Sequence, residues 1–282
     1  MKKNATVPPS GIQLVAVDLD GTLMDSRKEL PPGAVETFAA ARRAGLRLSL
    51  ITGRNVCSVA AIAKELRLTG PHVSSGGALV TGNVGRPVYT RHGLTLDEAR
   101  EIVEVGRRYD LNSYMAGGTR FRVEKGAREL PKWHVPFYPC IPQLCKDILA
   151  DLHFTPLKIT LQVGSTTATL EKAVEDLRKS PSHFDITSSE RYSIEITHYG
   201  VNKGSGVREL AAITGVPLEH IMVIGDSPND LPMFAEAGLA VAMENATPEV
   251  KQAADRIVPS NDEGGALWAI QTLALSSTPI LT

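Results

Sequence analysis

Two aspartates one residue apart, Asp18 and Asp20, close an apolar run and are followed by Gly-Thr in DLDGTL (18–23). A second acidic set, Asp226 and Asp230 in GDSPND (225–230), also follows an apolar run. Carboxylates ~4 Å apart repel by about 4 kcal/mol at an effective dielectric of ~20, so a cluster of them needs a cation between them. All-oxygen donors of this kind suit Mg²⁺, which also accepts phosphate oxygens. An ionised aspartate attacks phosphorus without a base and forms an aspartyl-phosphate. A second carboxyl beside it protonates the leaving oxygen and then activates water. The Thr52 hydroxyl, the backbone amides of Leu19 and Gly53, and the Lys203 ammonium are oriented donors for the phosphoryl oxygens.

These residues lie far apart in the chain, so the fold must gather them. Strand-length apolar runs QLVAV (13–17), LRLSLIT (46–52), IMVIG (221–225) and LAVAM (239–243) interleave with helical patterns at 31–45, 203–214 and 231–237. Asn55 is placed to cap a further helix through VCSVAAIAKELRL. Such alternation predicts a mostly parallel sheet covered on both faces, with ligands bound along the carboxyl edge of its strands. On that edge the first strand delivers Asp18 and Asp20, and the second delivers Thr52 and Gly53. IMVIG delivers Asp226, with Asn229 and Asp230 opening the next helix. Residues 84–198 read differently. Paired strand patterns and helices at 96–109 and 167–179 surround a Pro- and aromatic-rich stretch, LPKWHVPFYPCIP, in which Trp133 and His134 read as packing residues. Gly/Pro-bearing joints flank this segment. The expected fold is therefore α/β, a Rossmann-like doubly wound parallel sheet core (1–83 and 199–282) with an inserted α+β cap domain (84–198).

Composition excludes other classes. Lys+Arg is 30 against Asp+Glu 31 in 282 residues, so no overall basic field calls for nucleic acid or an anionic membrane. No apolar run reaches the ~18–20 residues of a membrane helix, and MKKNATVPPSG lacks the apolar region of a secretory signal. The odd cysteine count (Cys57, Cys140, Cys145) argues against a disulfide framework, and Cys140 and Cys145 have no Cys/His pair at zinc spacing. A reduced cytoplasm is the expected location. Residues 18–29 imitate an EF-hand loop, but Leu23 stands where its turn needs glycine and a strand pattern precedes it. Asp230 also fits a plain helix cap in SPND.

At these residues the chain resembles the haloacid dehalogenase superfamily of phosphatases, in its Cof-like branch with a large α+β cap. DLDGTL matches the first motif, ITGR (51–54) the second, NKG (202–204) the third and GDSPNDLPM (225–233) the fourth. The resemblance covers nearly the whole chain. It implies Asp18 as nucleophile and Asp20 as general acid/base. It implies Mg²⁺ held by the Asp18 side chain, the Asp20 backbone carbonyl and Asp226. Phosphate is expected on Leu19, Thr52, Gly53, Lys203 and Asn229, with Asp230 orienting Lys203 or a metal-bound water. The branch's Asn-Gly-Ala after the third strand is SGGALV here, with Gly76 in place of the Asn, so no substrate contact carries over to that position. The expected activity is hydrolysis of a small phosphorylated metabolite, in particular a sugar phosphate. Its rivals are a phosphomutase of the same branch and a phosphate-metabolite binder without turnover. Arg54, Arg120, Arg122 and Glu195 are the candidates for leaving-group contact, and oligomeric state is not legible.

Overall fold

The computed structural model describes residues 11–82, 85–124, 143–150, 152–163, 168–188 and 192–275. Trp133, His134 and the surrounding LPKWHVPFYPCIP stretch lie outside them.

The chain opens with β1 (Leu14–Val17), α1 (Ala34–Arg43), β2 (Arg47–Leu50) and α2 (Val56–Glu65). Asn55 caps α2 as expected, its side chain accepting the Ser58 amide. An antiparallel set follows: β3 (His72–Ser74), β4 (Leu79–Thr81) and β5 (Val88–Arg91). Next come α3 (Leu96–Arg108), β6 (Asn112–Gly117), β7 (Arg120–Glu124), β8 (Gln143–Cys145), β9 (Lys158–Gln162), α4 (Ala168–Arg178), β10 (Asp185–Thr187) and β11 (Ser193–Thr197). The chain then returns to βα alternation through α5 (Lys203–Thr214), β12 (Ile221–Gly225), α6 (Leu231–Phe234), β13 (Leu239–Met243), α7 (Pro248–Ala253), β14 (Arg256–Val258) and α8 (Gly265–Ala269).

The first and last segments build one five-stranded sheet in the order β14-β13-β12-β1-β2, with parallel neighbours throughout. Both of its faces are buried, which is why its strands read as continuous apolar runs. Val15, Val17, Leu48, Leu50 and Ile224 pack under α1, α2 and α8, and Leu14, Ala16, Ile221 and Val223 under α5, α6 and α7. The order places β1 at the centre, between β2 and β12. The ends of those three strands are therefore neighbours.

The middle segment makes a separate six-stranded sheet, β10-β11-β9-β6-β7-β8. Its strands alternate strictly. Met115, Ile159, Leu161, Ile194 and Ile196 join α3 and α4 in a core of their own. Residues one position away turn to the opposite face, as the period of two requires. Strand β8, parallel to β7, is an addition to the sequence reading. Its Gln143 and Leu144 are exposed, so it carries little apolar signal. Cysteine chemistry also differs from expectation. Cys57 is disulfide-bonded and Cys145 is a free thiol. No helix among the described residues is long and apolar enough to cross a membrane.

Candidate active site

Asp18 follows β1 directly and is almost wholly buried, because the strand that carries it is the central one. Lys203, the first residue of α5, reaches it with Nζ 2.8 Å from Oδ1 and touches Asp230 Oδ1 at 2.5 Å. Asp226, just past β12, accepts the Thr22 hydroxyl at 2.7 Å. Asp230 accepts the amides of Asp226 and Ser227 at 2.9 and 3.0 Å. It thus caps the turn, as read from the sequence, and also pairs with Lys203. Gly21 has to be glycine on two counts. Its φ is +76°, and a Cβ there would lie 2.4 Å from Asp226 Oδ2.

Asp18, Asp226 and Asp230 each bring a carboxylate oxygen within 4.8 Å of one another. Three anions face one cation, Lys203. Burial first, then the Asp230 and Asp226 charges, push the Asp18 carboxyl well above its usual range despite Lys203. Burial and Asp230 push Asp226 up to about 6. Burial opposes charge on Lys203 too, but Asp18 and Asp230 outweigh it and hold the ammonium protonated. A hard divalent cation on Asp18 and Asp226 would supply the missing positive charge. The all-oxygen donor set fits Mg²⁺.

Asp20 belongs to a different environment. Arg54 grips it through Nε and a terminal nitrogen, both at 2.6 Å, and Lys28 adds a bond at 2.8 Å. Burial opposes its ionisation, yet Arg54 and then Lys28 pull its carboxyl down to about 2. The turn that brings Lys28 back is itself pinned. Asn245 donates to the Gly21 carbonyl, Asn261 to the Met24 carbonyl, and the Ser26 amide to Asp262. Among the described residues the Leu19 and Gly53 amides find no protein acceptor, which leaves them as donors. Ser227 donates to Asn229 Oδ1 at 2.9 Å, so the Asn229 amide nitrogen is presented as a donor as well.

A cavity of about 400 Å³ opens over this floor. Its roof is the helix-free face of the six-stranded sheet, bearing Tyr114, Phe121, Lys158, Thr160, Gln162, Ser193 and Glu195. Sequence reasoning found Glu195 and missed the rest of the roof. The signal was present in LKITLQV, where Lys158, Thr160 and Gln162 alternate with buried Ile159 and Leu161.

Two expected leaving-group contacts are corrected. Arg120 and Arg122 flank Phe121 in β7, and since Phe121 faces the cavity, they point away from it. Arg122 instead donates to the Ile148 and Ala150 carbonyls, and Arg120 lies 6.0 Å from the Phe154 ring centre. Arg54 does line the cavity, but it is engaged by Asp20. The EF-hand alternative fails because Asp18 leaves a strand.

Known proteins agree with this architecture. A family model for haloacid dehalogenase-like hydrolases matches residues 15–270. The putative phosphatase YxeH of Bacillus subtilis (strain 168) is 28% identical over 272 residues, covering 94% of this chain and 99% of that protein. The phosphoglycolate phosphatase of Methanosarcina acetivorans is 28% identical, covering 92% of this chain and 95% of that protein. A solved haloacid dehalogenase-like hydrolase from Bacteroides thetaiotaomicron is 27% identical, with a TM-score of 0.81 over 92% of this chain and 98% of that one. The subclass IIB sugar phosphatase BT4131 shares the fold at 21% identity, with a TM-score of 0.79 over 94% of this chain and 100% of that one. With a match spanning nearly every element that builds the floor and roof, the chain belongs to the haloacid dehalogenase-like hydrolases.

Proposed function

We propose that the protein is a Mg²⁺-dependent phosphatase acting on a small phosphorylated metabolite, in particular a sugar phosphate, through an aspartyl-phosphate on Asp18. The observation that carries this reading is the placement of Asp18. It is buried beside Lys203, within 4.8 Å of the Asp226 and Asp230 oxygens, at the floor of a roofed cavity. In this reading residues 84–198 act as a cap over a core of 1–83 and 199–282.

Asp18, Asp226 and the Asp20 carbonyl would hold the metal, which when bound supplies charge neutralisation for the transferring phosphoryl group. The Leu19 and Gly53 amides, the Thr52 hydroxyl, Lys203 and Asn229 hold the phosphoryl oxygens. An Asp18 carboxylate oxygen attacks phosphorus and the ester P–O bond breaks. The leaving oxygen takes its proton from Asp20. Water then attacks the acyl phosphate and gives a proton to Asp20, inorganic phosphate departs, and Asp18 is restored.

The clamp on Asp20 adds a condition. Held at about 2, Asp20 is a carboxylate and suits the second, base step. To act first as an acid it must lose a cation, and the incoming phosphate dianion competes for Lys28 and Arg54. The roof favours uncharged, hydroxyl-rich leaving groups, because the one cation and one anion among its described residues, Lys158 and Glu195, are spent on each other. That leaves Thr160, Gln162 and Ser193 as hydrogen-bonding groups and Tyr114 and Phe121 as flat surfaces.

Release of inorganic phosphate over a panel of sugar phosphates, nucleotides and phosphoglycolate, with Mg²⁺ and with a chelator, tests the reading. Metal-dependent release from polyol esters without an activating bisphosphate is the expected result. Conversion of a sugar phosphate to its isomer, dependent on an activating bisphosphate and without release of inorganic phosphate, would show a mutase. Absence of turnover across the panel would leave a binding protein.

A further inference from the structure

Lys158 belongs to the roof, yet its bonds serve the floor. Its Nζ donates to the Gly53 carbonyl at 2.6 Å and pairs with Glu195. Both side chains are nearly enclosed, 8% and 13% exposed. Glu195 lies so close over the turn that a Cβ at Gly53 would come within 2.8 Å of its Oε2. The preceding residue, Leu157, is fully buried with Val56, Ala78, Leu79 and Val201, which docks the start of β9 onto the core. The peptide between Gly53 and Arg54 is therefore gripped at both ends. Lys158 takes its carbonyl, and Thr52 Oγ1 takes its N–H at 3.1 Å. Having accepted that bond, the Thr52 hydroxyl keeps its own proton to donate. The Arg54 side chain leaves the same turn to clamp Asp20.

We propose that Lys158 is a positioning residue that acts through the Gly53 carbonyl. From the opposite sheet it fixes the turn presenting the Thr52 hydroxyl, the Gly53 amide and the Arg54 guanidinium, while Glu195 keeps Lys158 aimed. This inference rests on the phosphatase reading, which assigns those donors to phosphate. It differs from a leaving-group role, because the group Lys158 serves would bind a phosphate that carries no leaving group.

Inorganic phosphate with Mg²⁺, titrated by calorimetry, separates the two roles. Lys158→Met alone leaves the Glu195 carboxylate unpaired beside an anion, so the deciding variant is Lys158→Met with Glu195→Gln, which is neutral. Its phosphate affinity falls about tenfold, the scale of one hydrogen bond from a charged donor. Exchange of the Arg54 amide hydrogen quickens in parallel, and Lys158→Arg recovers part of both. Glu195→Gln alone, which keeps the packing, shows a smaller loss in the same two readouts and serves if the double variant does not fold. Wild-type affinity and exchange in the folded double variant would overturn the assignment. So would lost affinity without faster Arg54 exchange, which would make Lys158 a direct ligand. If the wild type binds no phosphate with Mg²⁺, it is the phosphatase reading that fails, and Arg54 exchange then decides the role of Lys158.

Discussion

The floor and the roof of the cavity handle charge in opposite ways. On the floor, carboxylates of Asp18, Asp226 and Asp230 crowd one lysine, and two of them are pushed up in pKa as a result. In the roof, Lys158 and Glu195 cancel, and the rest of the lining among the described residues is neutral. An imbalanced cluster is costly unless a ligand completes it, whereas a balanced pair asks for nothing. In the proposed function, this difference goes with bond breaking on the first sheet and the choice of leaving group on the second.

The largest test of that division is Asp18→Asn. Turnover should fall by about 10⁴-fold or more, as when a nucleophile is removed, with the unfolding midpoint kept. Substantial residual phosphate release would break the assignment of chemistry to the floor. Lys203→Met comes next. It strips the buried Asp18 and Asp230 carboxylates of their partner and should cost about 3–5 kcal/mol in denaturant unfolding without metal. A smaller cost would mean that Asp18 takes up a proton in place of its lysine partner.

Acid reaches the first sheet through a histidine on the neighbouring strand β3, which bonds to β2. His72 is fully buried in β3, accepts the Leu50 amide on Nδ1, and burial lowers its pKa to about 4. The unfolded chain protonates near 6.5, so stability from the neutral ring is complete above that pH. It is lost as the pH falls toward 4, by about 3 kcal/mol. Asp18 and Asp226, whose carboxyls are raised, take up protons in the folded chain and oppose that loss, so the His72 contribution is the difference between two proteins. From pH 7 to 4, hydrogen-exchange protection of β2 and β3 in the wild type should fall relative to His72→Gln.

The roof predicts smaller and more selective effects. Gln162→Leu should raise KM for polyol phosphates about tenfold and leave inhibition by inorganic phosphate unchanged. A change in phosphate inhibition would blur the separation of floor from roof. The smallest effect belongs to Arg120→Ala. The exposed Arg120 faces away from the cavity, so kcat/KM should stay within about twofold of the parent. A larger drop would contradict the alternation of β7.

The two regions also differ in how much of them the sequence reveals. The floor is legible because its chemistry needs fixed residue types next to fixed backbone. Asp18 and Asp226 must end buried strands, and Gly21 must let Asp226 close in. The roof is legible only as a pattern. Thr160, Gln162 and Ser193 are ordinary residues whose sole mark is a place on alternate positions of a strand, and nothing local says which face meets the floor. Arg120 and Arg122 misled for that reason, since charge suggested a ligand contact while the strand period aimed them elsewhere. The Arg54 and Lys28 clamp on Asp20 was hidden for another. It depends on where a turn places a long side chain, and Lys28 is eight residues from its partner without a periodic relation.

The alternation of β9 bears on how such an enzyme changes over time. Its apolar positions, Ile159 and Leu161, are locked into the helix-covered layer, while Thr160 and Gln162 line the chamber. Drift at those two sites can repaint the ceiling without loosening the wall behind it. One inherited reaction can in this way be lent to a succession of different metabolites, provided that the neighbouring Lys158 stays where it is.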